Sequence, residues 1–333
     1  MRRVLFLSLL VACRGQGKDE RIPHGKDVVS VPEHKELGTV PYTGTEAIAM
    51  DVADDKLAGP ETVVHDLDQD VYFVSNIKGD PNAKDDNGYI AKISPSGEVI
   101  DPYFIDGREP NIELHAPKGM AIGGDTLYVA DEGGVRLFDR KTGEPTGFWS
   151  VPGSRFLNGV AIDARGRVLV TETGIDLLPT GPVKTGPYIV YAFDGNGHAS
   201  ILAQGDQLLG PNGIVAGPRG IYTIEFMGDE HGVYKLDDNG QKQLLGQLPF
   251  GELDGLAMLP DGSMLVTSWF ANGVYRFVPG QEPTLVVQHM ATPAGIAYDA
   301  VRHRILVPEV VGNTLHIEPW APPEASLLPI EDR

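Results

Sequence analysis

Phe156-Leu157-Asn158-Gly159-Val160-Ala161-Ile162-Asp163 is one copy of a repeat that runs from residue 59 to residue 299. The other copies are Gly59-Pro60-Glu61-Thr62-Val63-Val64-His65-Asp66, Ala116-Pro117-Lys118-Gly119-Met120-Ala121-Ile122, Gly210-Pro211-Asn212-Gly213-Ile214-Val215-Ala216, Glu252-Leu253-Asp254-Gly255-Leu256-Ala257-Met258 and Thr292-Pro293-Ala294-Gly295-Ile296-Ala297-Tyr298. Six copies imply six equivalent units, each one supersecondary element of a closed array. Aligned, they leave one column before the small residue: Glu61, Lys118, Asn158, Asn212, Asp254 and Ala294. Its chemistry varies while the flanking apolar pattern does not, and this marks the column as the candidate site.

Each octet is followed by a turn and a second apolar run, such as Val71-Tyr72-Phe73-Val74 or Met264-Leu265-Val266-Thr267, the pattern of neighbouring hairpin strands. Third runs (Gly134 to Asp139, Gly273 to Phe277) and outer runs (Ala199 to Leu202, Thr284 to Val287) complete most units. Four antiparallel strands repeated six times predict an all-β chain, a six-bladed β-propeller over residues 46–320. The strand-like run Glu46 to Val52 is expected to close the last blade. The composition agrees: 41 glycines and 26 prolines punctuate short apolar runs, with 41% of the 333 residues hydrophobic.

A formal net charge of −19 argues against a phosphate-binding groove and so against nucleic acid. The acidity reads as a solvated surface, and the chain as a monomer. Arg2-Arg3, the apolar run Val4 to Leu10 and then Val11-Ala12-Cys13 form a targeting signal too short to span a bilayer. The ending resembles a bacterial lipobox. Residues 1–12 are thus expected to be a signal peptide, 13–45 a tether starting at lipidated Cys13, and 321–333 a C-terminal tail. The protein would be an exported lipoprotein at the periplasmic face of the envelope or at the cell surface, touching membrane through its lipid alone. Cys13 is the single cysteine, which excludes an intrachain disulfide.

In a propeller the first strand of each blade lines the channel, so the column sits at one channel mouth. Glu61, Asn158, Asn212 and Asp254 offer two carboxylates and two amide carbonyls, hard oxygen donors suited to Ca²⁺ or another divalent cation. Asn-Gly and Asp-Gly are also ordinary turn dipeptides, as at Asn87-Gly88 and Asp261-Gly262, but those lie out of register with the column. Second-strand ends, among them Glu172, Glu225 and Glu309, should surround the column as a supporting layer or cap neighbouring loops. Insertions at 76–88 and 173–187 should overhang the mouth. His115 is the one histidine expected near the site. Trp269 and Phe270 are candidates for a pocket wall or for packing between blades.

These four donors, in this order and in the contexts Gly-Pro-Glu-Thr-Val-Val, Asn-Gly, Asn-Gly and Leu-Asp-Gly-Leu, resemble the gluconolactonase and regucalcin-like propellers, with paraoxonases more distant. The resemblance covers about residues 46–320. It implies a divalent metal, usually calcium, held by Glu61, Asn158, Asn212 and Asp254, and hydrolysis of a small lactone or ester, arylesters included. It departs at Lys118, where paraoxonase-like relatives carry histidine. Under this reading Asp254 takes the proton from attacking water, and Lys118 either holds the oxyanion or forms a salt bridge to Glu61 or Asp254. His115 is the remaining catalytic candidate. Two other readings stay open: a non-catalytic propeller for an envelope partner, and a metal-free enzyme resembling strictosidine synthase. No Gly-x-Ser-x-Gly elbow, His-Glu-x-x-His or phosphate loop is found.

Replacing Cys13 with serine should move the protein, expressed in a Gram-negative host, from the membrane fraction to the soluble fraction. Fractionation with globomycin as a control checks this, and unchanged membrane association would remove the lipidation reading.

Overall fold

The computed structural model describes residues 50–53 and 56–321. The expected signal peptide, Cys13, the tether, the first residues of the closing strand and most of the C-terminal tail lie outside them. No helix is present among the described residues, so none is long and apolar enough to cross a membrane. Six four-stranded antiparallel sheets form the blades of a propeller. The inner strands are Pro60–Asp66, Met120–Gly123, Leu157–Ile162, Pro211–Gly217, Leu253–Met258 and Ala297–Asp299. In the last blade Met50–Ala53 pairs antiparallel with Thr314–Pro319, Met50 opposite Ile317. The ring is therefore closed by a strand from the other end of the described chain, as expected from the alternation before Glu61.

The core lies between blades rather than inside one. Successive side chains of a strand point to opposite faces, so the second strand Val71–Asn76 serves two neighbours. Tyr72 and Val74 pack with Leu306 and Ile317 of blade six, while Phe73 packs with Leu127 and Val129 of blade two. The same arrangement recurs at every blade junction. Both faces of these strands are thus buried, which is why their sequences read as continuous apolar runs.

Four of the six column residues, Glu61, Asn158, Asn212 and Asp254, sit on irregularities of the inner strands. Pairing slips between Pro60 and Val63, Leu157 and Val160, Pro211 and Ile214, and Leu253 and Leu256, so that two inner residues oppose one on the second strand. Such bulges re-aim side chains. A hydroxyl fills the gap in three blades: Ser75 Oγ accepts from Thr62 N (3.0 Å) and donates to Lys118 O of the next blade (2.8 Å). Thr171 Oγ1 bridges Gly159 N to Asn212 O (2.8 and 2.7 Å), and Thr267 Oγ1 bridges Gly255 N to Ala294 O (2.6 and 2.8 Å).

The small residue after the column is explained by the same close approach. A Cβ on Gly119 would lie 2.2 Å from Asn158 O, on Gly159 2.5 Å from Asn212 O, on Gly213 2.6 Å from Asp254 O and on Gly255 2.4 Å from Ala294 O. Each glycine makes room for the backbone carbonyl of the next blade. Gly119→Ala should therefore destabilise the protein by about 1–3 kcal/mol, the usual cost of overpacking. Gly217→Ala, at a site with open space, should change it by less than about 0.5 kcal/mol. Urea unfolding of both variants is the check.

Candidate functional site

Before each inner strand the chain must enter the channel wall, and the last residue of the second strand holds it there. Asn76 Oδ1 accepts from Ala58 N, and Asp131 accepts from His115 N and Ala116 N. Glu172 accepts from Arg155 N, Phe156 N and Gly174 N, and Glu309 from Ala291 N. Glu225 pairs with Lys242 at 2.7 Å. Glu172, Glu225 and Glu309 line neither of the cavities at the column. They hold the loops behind it, the capping role weighed from sequence.

Glu61, Asn158, Asn212 and Asp254 do converge. All four are buried, and all four border both a mouth cavity of about 180 Å³ and a channel cavity of about 330 Å³. Burial pushes the Glu61 carboxyl up to about 7, against the Thr62 hydroxyl and the positive charge of Lys118, which both lower it. Asp254 is raised well above the usual carboxylate range, first by burial and then by the charge of Glu61, with Trp269 and Asn212 pulling the other way. The Trp269 indole N–H stands close enough to exert that pull without reaching hydrogen-bond geometry.

Lys118 takes partners other than the expected ones. Its side chain is fully buried and its Nζ donates to Pro81 O (2.8 Å), Ala116 O (3.2 Å) and Glu132 Oε1 (3.1 Å), over the ring of Phe156. It makes no salt bridge to Glu61 or Asp254, correcting that alternative: the Glu132 carboxylate and two carbonyls satisfy its three N–H groups. Its effect on Glu61 is through the field alone. His115 is buried between Asp86 (3.0 Å) and Glu113 (3.1 Å) and borders neither cavity. It ties the first insertion to the loop that enters blade two.

Both insertions overhang the mouth. Segment 173–187 forms a hairpin, Ile175–Leu178 against Gly181–Lys184. Asn82 of the first insertion stitches the two together: its Nδ2 donates to Arg155 O and Ile175 O (3.2 Å each), and Leu177 N donates to its Oδ1 (3.3 Å). The cavity wall beneath is Phe156, Ile175, Leu177, Phe226 and Trp269. Trp269 packs edge-on to Phe226 at 5.2 Å, whereas Phe270 is 64% exposed and forms no wall. Sequence reasoning missed Phe156, Ile175 and Phe226. Phe156 heads the signature octet, so its place next to the column was the available signal.

The column fits a hard divalent cation. For the two buried carboxyls, the described residues supply one hydrogen bond of ordinary geometry, Thr62 Oγ1 to Glu61 Oε2 at 2.7 Å. Buried charge at this level of pairing is costly without a counter-ion. Among the described residues no group of three or more His, Cys, Asp or Glu is arranged for a metal. A cation here would draw on the Asn158 and Asn212 carbonyls, an all-oxygen set that suits Ca²⁺.

A model of the SMP-30/gluconolactonase/LRE-like region matches residues 96–298, which include Asn158, Asn212 and Asp254 but not Glu61. Among solved structures, a gluconolactonase from Xanthomonas campestris is similar with a TM-score of 0.61 and 16% identity, over 82% of this chain and 89% of that one. A virginiamycin B lyase from Staphylococcus aureus is similar with a TM-score of 0.55 and 13% identity, over 82% of this chain and 99% of that one. At these identities the two structures speak for the fold. No curated protein matches the sequence.

The raised carboxyls carry a pH dependence. Folded Glu61 keeps its proton up to about pH 7, whereas the unfolded chain loses it near 4.5. The metal-free protein should lose stability as pH rises through that window, on the order of 3 kcal/mol from Glu61 alone. Calcium, which needs ionised carboxylates, should raise the melting temperature more at about pH 8 than at about pH 6, and not in Glu61→Gln. Thermal unfolding in chelator and in calcium tests this; an equal or absent calcium effect at the two pH values counts against the cation site.

Proposed function

Because the chain belongs to the SMP-30/gluconolactonase/LRE-like family, we propose that it is a divalent-cation-dependent hydrolase of lactones or esters, working at the channel mouth. One observation carries the reading: two buried carboxyls with raised pKa stand beside two carboxamides on the floor of a cavity walled by apolar side chains. Glu61, Asn158, Asn212 and Asp254 would hold Ca²⁺. A bound cation supplies positive charge that polarises a carbonyl oxygen and keeps both carboxylates ionised.

The chain's own groups do the rest. Asp254, with its carboxylate on the cavity floor, accepts a proton from the water that attacks the carbonyl carbon. The same carboxyl returns that proton to the departing alkoxide oxygen. Lys118, engaged with Glu132, acts on Glu61 at a distance by favouring its ionised form. Through Pro81 O it also anchors the first insertion over the mouth. His115 supports the same insertion through Asp86. The apolar wall lowers the polarity on the mouth side of the floor and so strengthens charge interactions there. Lipidation at Cys13 and residence in the envelope belong to the same proposal.

Asp254→Asn should lower kcat/KM for a responsive lactone by about 10³-fold or more, through loss of both a ligand and a base, with circular dichroism unchanged. Metal analysis before and after chelation accompanies the assay. Full turnover in the variant, or turnover indifferent to chelation and calcium, would overturn the assignment and favour a non-catalytic propeller or a metal-free enzyme.

A further inference from the structure

The wall above the acidic floor is unusual in what it lacks. Among the described residues lining the mouth cavity, no Ser, Thr, Tyr, His, Lys or Arg is present; the polar side-chain groups are the four on the floor and the indole N–H of Trp269. Phe156, Ile175 and Phe226 form a buried apolar cluster with Leu177 and Trp269 packed against it. The wall's one side-chain N–H, Trp269 Nε1, is itself buried with no hydrogen bond. Two polar side chains on the overhanging segments are engaged elsewhere. Asn82 is spent on the backbone at Arg155, Ile175 and Leu177, and Asp176 pairs with Arg155 at 3.0 Å. The hairpin is thereby held with Ile175 and Leu177 against the cavity. At about 180 Å³ the space falls below the roughly 300–1,000 Å³ of common small-molecule sites.

The geometry points to a compact lactone or ester with a hydrocarbon body, and away from a polyhydroxylated sugar lactone, as the substrate class of this site. The inference rests on the lactone or ester hydrolase reading above. A ring hydroxyl brought against this wall leaves its water partners and finds at most the single indole N–H of Trp269, whereas an alkyl substituent gains contact. An apolar pocket rejects a single added hydroxyl by only about 100-fold, but a sugar lactone brings several. The substrate carbonyl would lie toward the oxygen-lined floor, so the two ends of the cavity sort the two ends of the molecule.

A matched pair tests it: δ-hexalactone and glucono-δ-lactone share a six-membered ring and differ in what the ring carries. The expected result is a kcat/KM about 100-fold or more higher for δ-hexalactone. Leu177→Asn, at a partly buried hairpin position, should narrow that ratio by about tenfold, and Val310→Asn serves if the first variant folds poorly. Binding of 4-methylcyclohexanone and of glucose, followed by calorimetry, needs no turnover. Equal or better hydrolysis of glucono-δ-lactone would overturn the inference and leave the hydrolase reading intact. Binding of 4-methylcyclohexanone but not glucose, with neither lactone hydrolysed, would support the apolar pocket and overturn the hydrolase reading. Glucose binding as tight as that of the ketone would overturn the inference on its own.

Discussion

The contact on which this architecture depends is the approach of each inner strand to the carbonyl of the next. Gly119, Gly159, Gly213 and Gly255 leave no room for a Cβ against Asn158, Asn212, Asp254 and Ala294. At the ring closure Gly295 N donates to Glu61 O at 2.7 Å, so the last blade meets the first in the same way. Inner strands packed this closely bring the side chains before the glycines within reach of one another. The glycine ring is therefore a folding device and the reason the donors converge. In three blades a hydroxyl from the second strand bridges the gap. Without it the backbone groups freed by the bulges would be buried and unpaired, a cost of about 1–3 kcal/mol each.

The convergence has an electrostatic consequence. Glu61 and Asp254 are buried together, and each raises the cost of charging the other. Structural acids elsewhere in the fold are treated differently: Asp131 and Glu172 accept hydrogen bonds from the backbone, and Asp66 is ion-paired with Arg140 at 2.6 Å. Asp66 is held below the usual range by that pairing despite its burial. The two acids on the cavity floor lack such support among the described residues, and this sets them apart more clearly than their position does. A protein that leaves two carboxyls so poorly compensated is less stable for it, a familiar exchange at functional sites.

Much of the fold was legible because propeller repeats are local. A strand pair with its turn is contained in about twenty residues, its alternation shows which positions face a neighbour, and six copies average out the ambiguity of any one. The second strands and the closing strand at Met50–Ala53 fall where the sequence reading put them. The donor column was legible for the same reason, since a residue fixed before a required glycine stays in register. The fate of Lys118 was not legible. It occupies the same column, but its ammonium is drawn to Glu132 and to Pro81 O, and Pro81 lies in an insertion found in one unit only.

From the amino-acid sequence alone come the number of blades, the order of their strands, the column of oxygen donors and the two overhanging insertions, because each is written in spacing and in the period of apolar residues. Tertiary structure alone decided which column residues share a cavity, which acids are left poorly paired and what the wall above them is made of. Those outcomes depend on loops from different blades meeting across a gap, as Asn82 does with Ile175 and Phe226 with Trp269. Periodicity shows which face of a strand a side chain takes; what stands opposite it across the channel mouth is settled only when the ring closes.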